Sequence, residues 1–286
     1  MNSILNPRIP VGDWISDLLD WFKAVFAPVL DLIGFVLGGM YSFFEMVLSS
    51  PIYLVMIVVF AALAWLASGW RLAVFTVIGF YLIRAFDQWS NAMSTLSLVL
   101  VAVIIALIIA IPLGILAAKS NAFSAIVRPV LDFMQSMPAL AYLVPIIVLF
   151  SIGVVPGIIA TLIFSLPPGV RFTELAIRQV DAEVVEAGQA FGATPGHILT
   201  RIQLPLAMPT IMAGINQVIM LALSMVVLAG MVGAQGLGGA VTSSISSLNV
   251  PLGVESGLSV VIIAIFLDRI TAALGNRTPI ARAKKA

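Results

Sequence analysis

Long apolar stretches alternate along this 286-residue chain with short runs of charged and helix-breaking residues. A bilayer core takes about 20 apolar residues per helix, with a usable range near 17–25. Against that length seven segments read as spans: Ile52–Gly69, the short Leu72–Phe86, Thr95–Ala118, Pro138–Gly153, Val154 to about Gly169, Leu206–Val232, and about Gly253 to Leu274. Pro138, Pro145, Pro156, Pro167, Pro168 and Pro209 fall inside or at the ends of these spans. They are either ordinary kinks or the marks of broken helices whose unwound backbone lines a cavity. The pattern predicts an all-α polytopic membrane protein of about seven transmembrane helices.

Residues 11–50 follow a different pattern. Ile15, Leu18, Leu19, Phe22, Val25 and Phe26 share one helical face, and Asp13, Asp17, Asp20 and Lys23 share the other, which predicts a helix lying in the membrane interface. An acidic polar face suits the outer surface. The apolar run Leu32–Phe44 is interrupted by Gly34, Gly38 and Gly39, so it reads as a re-entrant or interfacial piece, with an eighth span as the alternative. The organisation expected is an external segment over residues 1–50, two peripheral helices over 51–89, a core over 90–275 with a cytoplasmic loop at 171–205, and a basic cytoplasmic tail at 276–286.

Basic residues set the orientation. With the loop after Gly169 inside, eleven of the 14 Lys and Arg residues lie inside, and Arg8, Lys23 and Arg84 lie outside. The N-terminus is therefore expected outside and the C-terminus inside. No cleavable signal peptide is expected, because acidic residues follow Arg8 where an apolar core should come.

Composition agrees with a membrane chain and removes other classes. Hydrophobic residues make up 61% and charged residues 9%, with mean hydropathy +1.15; no soluble core of this size hides so much apolar surface. A net charge of +1 without a basic stripe excludes a nucleic-acid reader. Without cysteine and with His197 as the single histidine, thiolate sites, His metal clusters and His triads are excluded. The tryptophans Trp14, Trp21, Trp65, Trp70 and Trp89 fall near span ends, where interfacial belts form.

The segment Arg171–Pro205 is too charged for lipid yet patterned as helix. Asp181 is placed to cap a helix over Ala182–Phe191, Gly192 to end it, and Thr194-Pro195 to start a second short helix at once. A charged, capped elbow projecting from the membrane is a shape for docking into another protein. Its residues resemble a known family. Glu186-Ala187-Gly188, three residues, Gly192, nine residues, then Ile202-Gln203-Leu204-Pro205 resemble the EAA loop of ABC importer permeases, with Gly188 in place of the usual alanine. The likeness extends over roughly residues 90–275 through Gln135-Ser136-Met137-Pro138, Tyr142-Leu143-Val144-Pro145, Pro167-Pro168-Gly169-Val170-Arg171, Ala190-Phe191-Gly192-Ala193-Thr194 and Met212-Ala213-Gly214-Ile215-Asn216-Gln217. These look like the permeases for glycine betaine, proline betaine, choline or carnitine. Ser151 stands where many relatives have glycine.

The resemblance implies a type I ABC importer permease fold in the bacterial inner membrane. Glu186, Ala187, Gly188, Gly192, Ala193, Ile202, Leu204 and Pro205 would seat the loop in a cytoplasmic ATPase, present in two copies, with His197 touching it. It also implies a second permease copy, a homodimer being the simplest arrangement, and an extracytoplasmic binding protein for a quaternary amine. No Gly-Lys pair exists in the chain, so it has no P-loop of its own; ATP and Mg belong to the partner, and this chain is expected to bind no cofactor and to be no enzyme.

Asn216 sits about 15 Å above the cytoplasmic start of its span, and Asn216, Met220, Leu223, Ser224 and Val227 share a face bordered by Gln217. This face, with Ser136 and Met137, either lines a translocation path at the dimer interface or holds interhelical hydrogen bonds. No aromatic cage for a quaternary ammonium is evident, so selectivity is expected in the binding protein. The glycine-rich outer loop Gly233–Asn249 reads as a gate or a flexible connection. A secondary transporter would carry an ionisable residue near the middle of a span, and none is seen there; a permease for methionine, phosphonate or another amino-acid-like solute is the alternative within the class.

Overall fold

The computed structural model describes residues 10–276, and every regular element within them is helical. In lipid a backbone N–H or C=O has no water to bond, so apolar segments close their hydrogen bonds internally. Arg8, Arg277, Arg282, Lys284 and Lys285, and with them the expected basic tail, lie outside the described residues.

The bundle is organised on α4 (Trp89–Lys119) and α7 (Val154–Arg178). They run parallel, in contact from Leu98 beside Ile158 down to Arg178 against the carbonyl of Ala117. Small residues permit this approach: a Cβ added to Gly114 would lie 2.5 Å from Thr173 Cβ, and one on Gly169 2.8 Å from Ala110 Cβ. Apolar burial does not drive helix association in lipid, so close packing of such residues carries it. Pro167 and Pro168 do not end α7, which runs on to Arg178. The span expected to stop near Gly169 thus takes in Arg171, Glu174 and Arg178, which the sequence had assigned to the loop. The helix survives because tight packing on α4 and α10 outweighs two missing backbone donors.

Beside this pair lie the hairpin α2 (Tyr53–Ser68) and α3 (Trp70–Ala85), turned at Gly69, and the bent pair α5 (Asn121–Ser136) and α6 (Ala139–Phe150), which meet at 98° around Met137-Pro138. After α8 (Ala182–Ala190) comes the run Pro195–Met231. It comprises the single turn α9 (Pro195–His197), a π-helical turn over Ile198–Gln203, α10 (Leu204–Ser224) and α11 (Val226–Met231). Then come α12 (Leu237–Ser247) and α13 (Val250–Asn276). Among the described residues five runs can cross a membrane by length and composition, and the α5–α6 pair makes a sixth; the hairpin helices have 16 residues each. Each of the seven segments read from the sequence contains helix, but Pro138–Gly153 holds only the 12-residue second arm of the bent pair and is not a span by itself.

Two expectations are corrected. Residues 11–49 form one 39-residue helix, α1 (Val11–Ser49), rather than an interfacial helix followed by a re-entrant piece, and it is long and apolar enough to cross a membrane. It runs antiparallel to α4: Glu45 accepts from Ser94 Oγ at 2.9 Å, while Leu32 and Ile33 share a groove with Ile108 and Ile109. The glycines do not break it, because Leu37 and Tyr41 are clamped against Leu98, Val101 and Ile158. The outer loop Gly233–Asn249 is likewise neither a floppy link nor bare coil. Most of it is α12, seated so closely on α11 that a Cβ on Gly238 would lie 1.9 Å from the carbonyl oxygen of Val226.

Candidate coupling site

The elbow is built from local capping chemistry. The Asp181 side chain accepts from Glu183 N at 3.0 Å and starts α8. At its other end Ala193 N returns to Gly188 O and Gly192 N to Gln189 O, with Gly192 at φ +78°. That left-handed angle is what glycine supplies at a helix end. Thr194 then accepts from His197 N, and Pro195 occupies the first turn. Both helix starts therefore stand where the sequence put them. The second helix is not a separate short piece, however: through the π-helical turn it continues directly into α10. The elbow is thus joined to a membrane helix without an intervening loop.

The elbow has an inner and an outer face. Gly188 lies against Ile202: a Cβ there would come within 2.6 Å of Ile202 Cδ1. Leu204 packs with Ala176, Ile177, Ala207 and Ile211, tying the elbow to the last turns of α7. Glu186, Ala187 and Gly192 are exposed, Ala193 is half-buried, and Pro205 is exposed at the head of α10. No residue of α8 is buried, and Phe191 is 92% exposed at its tip. His197 is exposed beside Thr194, its Nδ1 3.2 Å from Thr194 Oγ1.

Just above the elbow sits a charged cluster around Glu174, whose side chain is 6% exposed. Its Oε1 accepts from Ser124 Oγ at 2.8 Å and Arg128 Nη2 at 2.9 Å, both on α5, and lies 2.9 Å from Nε of Arg178 on its own helix. Arg178 also donates to Ala117 O and Asn121 Oδ1, and Arg171 pairs with Asp132. Arg128, Asp132, Arg171, Glu174 and Arg178 border a pocket of about 280 Å³.

The face proposed for the solute path divides in two. Asn216 turns to α13 and donates through Nδ2 to Asp268 Oδ1 at 2.9 Å, and Leu223 is buried in the core. Gln217 and Ser224 stay exposed on the open side, with Met220 half-buried between them. Ser136 is exposed at the end of α5, and Met137 packs at the bend with Met225 and Leu228.

A binding-protein-dependent arrangement is indicated by comparison with known proteins. The family described as "Binding-protein-dependent transport system inner membrane component" matches residues 110–278. This chain belongs to that family. It is similar to the glycine betaine transport system permease protein OpuAB of Bacillus subtilis, at 48% identity over 93% of this chain and 94% of the relative. It is also similar to the glycine betaine/proline betaine permease ProW of Escherichia coli, at 47% over 96% and 78%. Among solved structures, the inward-facing MetNI methionine ABC transporter matches with a TM-score of 0.53 at 25% identity, covering 66% of this chain and 92% of that one. The inner membrane component is thus a multi-pass helical protein of the type I permease fold.

Two groups of this inner membrane component escaped the reading of its sequence. Arg171, Glu174 and Arg178 follow at i, i+3 and i+7, the spacing of one helical face, and that spacing was the available sign that they belong to a helix. Asp268, followed by Arg269, sits six residues before Leu274 in a mostly apolar run; an acid inside a span was itself the signal.

Proposed function

We propose that this chain is the membrane permease subunit of an ATP-driven importer that takes up glycine betaine or a related quaternary amine such as proline betaine, carnitine or choline. The observation that carries the reading is the elbow: an exposed, capped helix with Phe191 at its tip, continuous through a π-helical turn with α10. The amine class is supported by relatives at 45–48% identity whose names state glycine betaine. The methionine transporter, at 25% identity, supports the fold and leaves the amine reading in first place.

In this reading two cytoplasmic ATPase chains bind the elbows of two permease copies, use ATP and Mg, and hydrolyse it; this chain binds no nucleotide. An extracytoplasmic binding protein delivers the amine. Closure of the ATPases draws the elbows together, the α10 runs swing with them, and the cavity turns from inward-open to outward-open. The solute enters past the open face of α10, at Gln217, Met220 and Ser224, with Ser136 and Met137 at the neighbouring bend. Hydrolysis resets the elbows. The C-terminus lies inside; because α1 crosses antiparallel to α4, whose Ala117 end is on the elbow side, the N-terminus lies inside as well, rather than outside as expected from the basic residues, and the α2–α3 hairpin is peripheral to a core over residues 90–275.

The test is uptake of labelled glycine betaine and choline in cells lacking their own importers, with the matching ATPase and binding protein, for wild type and Gly192→Asp. Uptake by the wild type that disappears in the variant, with protein still in the membrane, is the expected result. Unchanged uptake by the variant removes the elbow from the mechanism. Absence of uptake by an assembled, ATP-hydrolysing complex moves the substrate to another class.

A further inference from the structure

We propose that Glu174 is a positioning residue that makes α5 travel with α7, so that the α5–α6 bend is the gate element displaced when ATP moves the elbow. The proposal rests on the reading of the chain as an ATP-driven permease and adds the route by which the elbow reaches the path.

Helix α5 has little else to hold it. Within it only Ser124 and Leu131 are buried, while Ile126, Val130 and Phe133 are exposed. Leu131, flanked by the half-exposed Val127 and Met134, meets Ala110, Leu166 and Val170 in one small apolar patch. The remaining specific attachments are polar, and two of them end on one oxygen, Glu174 Oε1, which Ser124 and Arg128 reach from α5. Burying a carboxylate costs several kcal/mol unless its partners are all in place, so the oxygen that gathers Ser124, Arg128 and Arg178 resists separation of the two helices. Arg178 extends the tie to the end of α4 through Ala117 O and to the first residue of α5 through Asn121.

Both ends of this tie connect to moving parts. On one side Glu174 lies one turn before Arg178, the last residue of α7, and Ala176 and Ile177 pack on Leu204 of the elbow run. On the other side α5 leads into the 98° bend at Met137-Pro138. There Met137 packs with Met225 and Leu228, where α10 gives way to α11. Displacement of the elbow therefore reaches α10 twice, directly through the π-helical turn and again through α7, Glu174, α5 and the bend. A physical coupling of this kind needs an element with two arrangements that both sites bias, and the bend is that element.

The chain has no cysteine, so one environment-sensitive thiol label on Leu140→Cys, in the first turn of α6, reports the bend without background. The complex with its ATPase and binding protein is placed in lipid nanodiscs, and emission is read with and without ATP, alongside ATP hydrolysis. Expected is an ATP-dependent emission shift that is lost in Glu174→Ser while hydrolysis continues. The double variant Ser124→Glu/Glu174→Ser, which puts the carboxylate on α5 facing Arg178, is expected to restore the shift. A shift that persists in Glu174→Ser overturns the proposal, as does an assembled double variant that stays silent. Should Glu174→Ser not assemble, Glu174→Gln, which keeps the shape and removes the charge, is read in its place against the same outcomes. No readout uses a labelled solute, so failure to import an amine bears only on the substrate reading.

Discussion

Asn216 and Asp268, 52 residues apart in sequence, are joined by a hydrogen bond of 2.9 Å between α10 and α13. The pair is only loosely neutralised: Arg269 Nε stands 3.9 Å from the other carboxylate oxygen, and Asn216 Oδ1 is buried without a partner among the described residues. Interhelical hydrogen bonds in membranes average about 0.6 kcal/mol and reach about 1.7. Asp268→Leu should therefore lower the melting midpoint of the purified complex modestly, and Asp268→Asn should lower it less. Equal loss in both variants would mean that the negative charge matters beyond the bond.

Gly188 predicts an asymmetry of size. The atom in its way is Cδ1 of Ile202, the far end of a flexible side chain. Gly188→Ala should keep uptake near wild type, whereas Gly188→Leu should uncouple ATP hydrolysis from transport. Ile202→Ala should recover part of the loss in the leucine variant. Recovery by no smaller residue at 202 would dismiss the packing explanation.

Gly114 has no such freedom, since Thr173 Cβ lies on α7 at 2.5 Å from the added carbon. Overpacking costs about 1–3 kcal/mol and occasionally more. Gly114→Val should reduce the amount of folded protein in the membrane, measured by fluorescence-detected chromatography, with Thr173→Gly recovering it only in part, because Val170 O also lies 2.8 Å from the added carbon. A normal yield of Gly114→Val would show that α4 and α7 can part without penalty.

Gln217 and Ser224 are exposed on the same side of α10, a turn apart from Met220. Replacing both by leucine should reduce uptake about tenfold or more, an increase of about 1.4 kcal/mol in the barrier, while ATPase binding and membrane level stay unchanged. Asn216→Leu, on the α13 side, should instead act through stability. Transport insensitive to the Gln217/Ser224 change would remove this face from the solute path.

Gly12 is exposed with open space around it, and His197 is exposed on the elbow. In the cysteine-free background, cysteines at residues 12 and 197 should both react with an impermeant maleimide only after lysis of spheroplasts, because α1 crosses antiparallel to α4. Reaction of residue 12 in intact spheroplasts would mean that α1 does not cross and would return the N-terminus to the outside.

Span positions and elbow capping were legible because both are local. Apolar length sets where a backbone can rest in lipid, and Asp181, Gly192 and Thr194-Pro195 terminate helices through their own side chains and backbone angles. The family resemblance was equally legible, since the Glu186 to Pro205 spacing lies within a single segment. The remainder depended on contacts across distant segments. Glycines at 34, 38 and 39 leave α1 intact because α4 and α7 grip Leu37 and Tyr41. Pro167 and Pro168 pass through α7 because Gly114 and Ala110 of α4 lie against it. Glu174 becomes a buried tie only when Ser124 and Arg128, some 50 residues earlier, are folded onto it, and Asn216 faces Asp268 rather than the path only once α13 is in place. Periodicity places a residue on a face of its helix; which neighbour covers that face is decided by packing, and packing is not written in any one stretch of sequence.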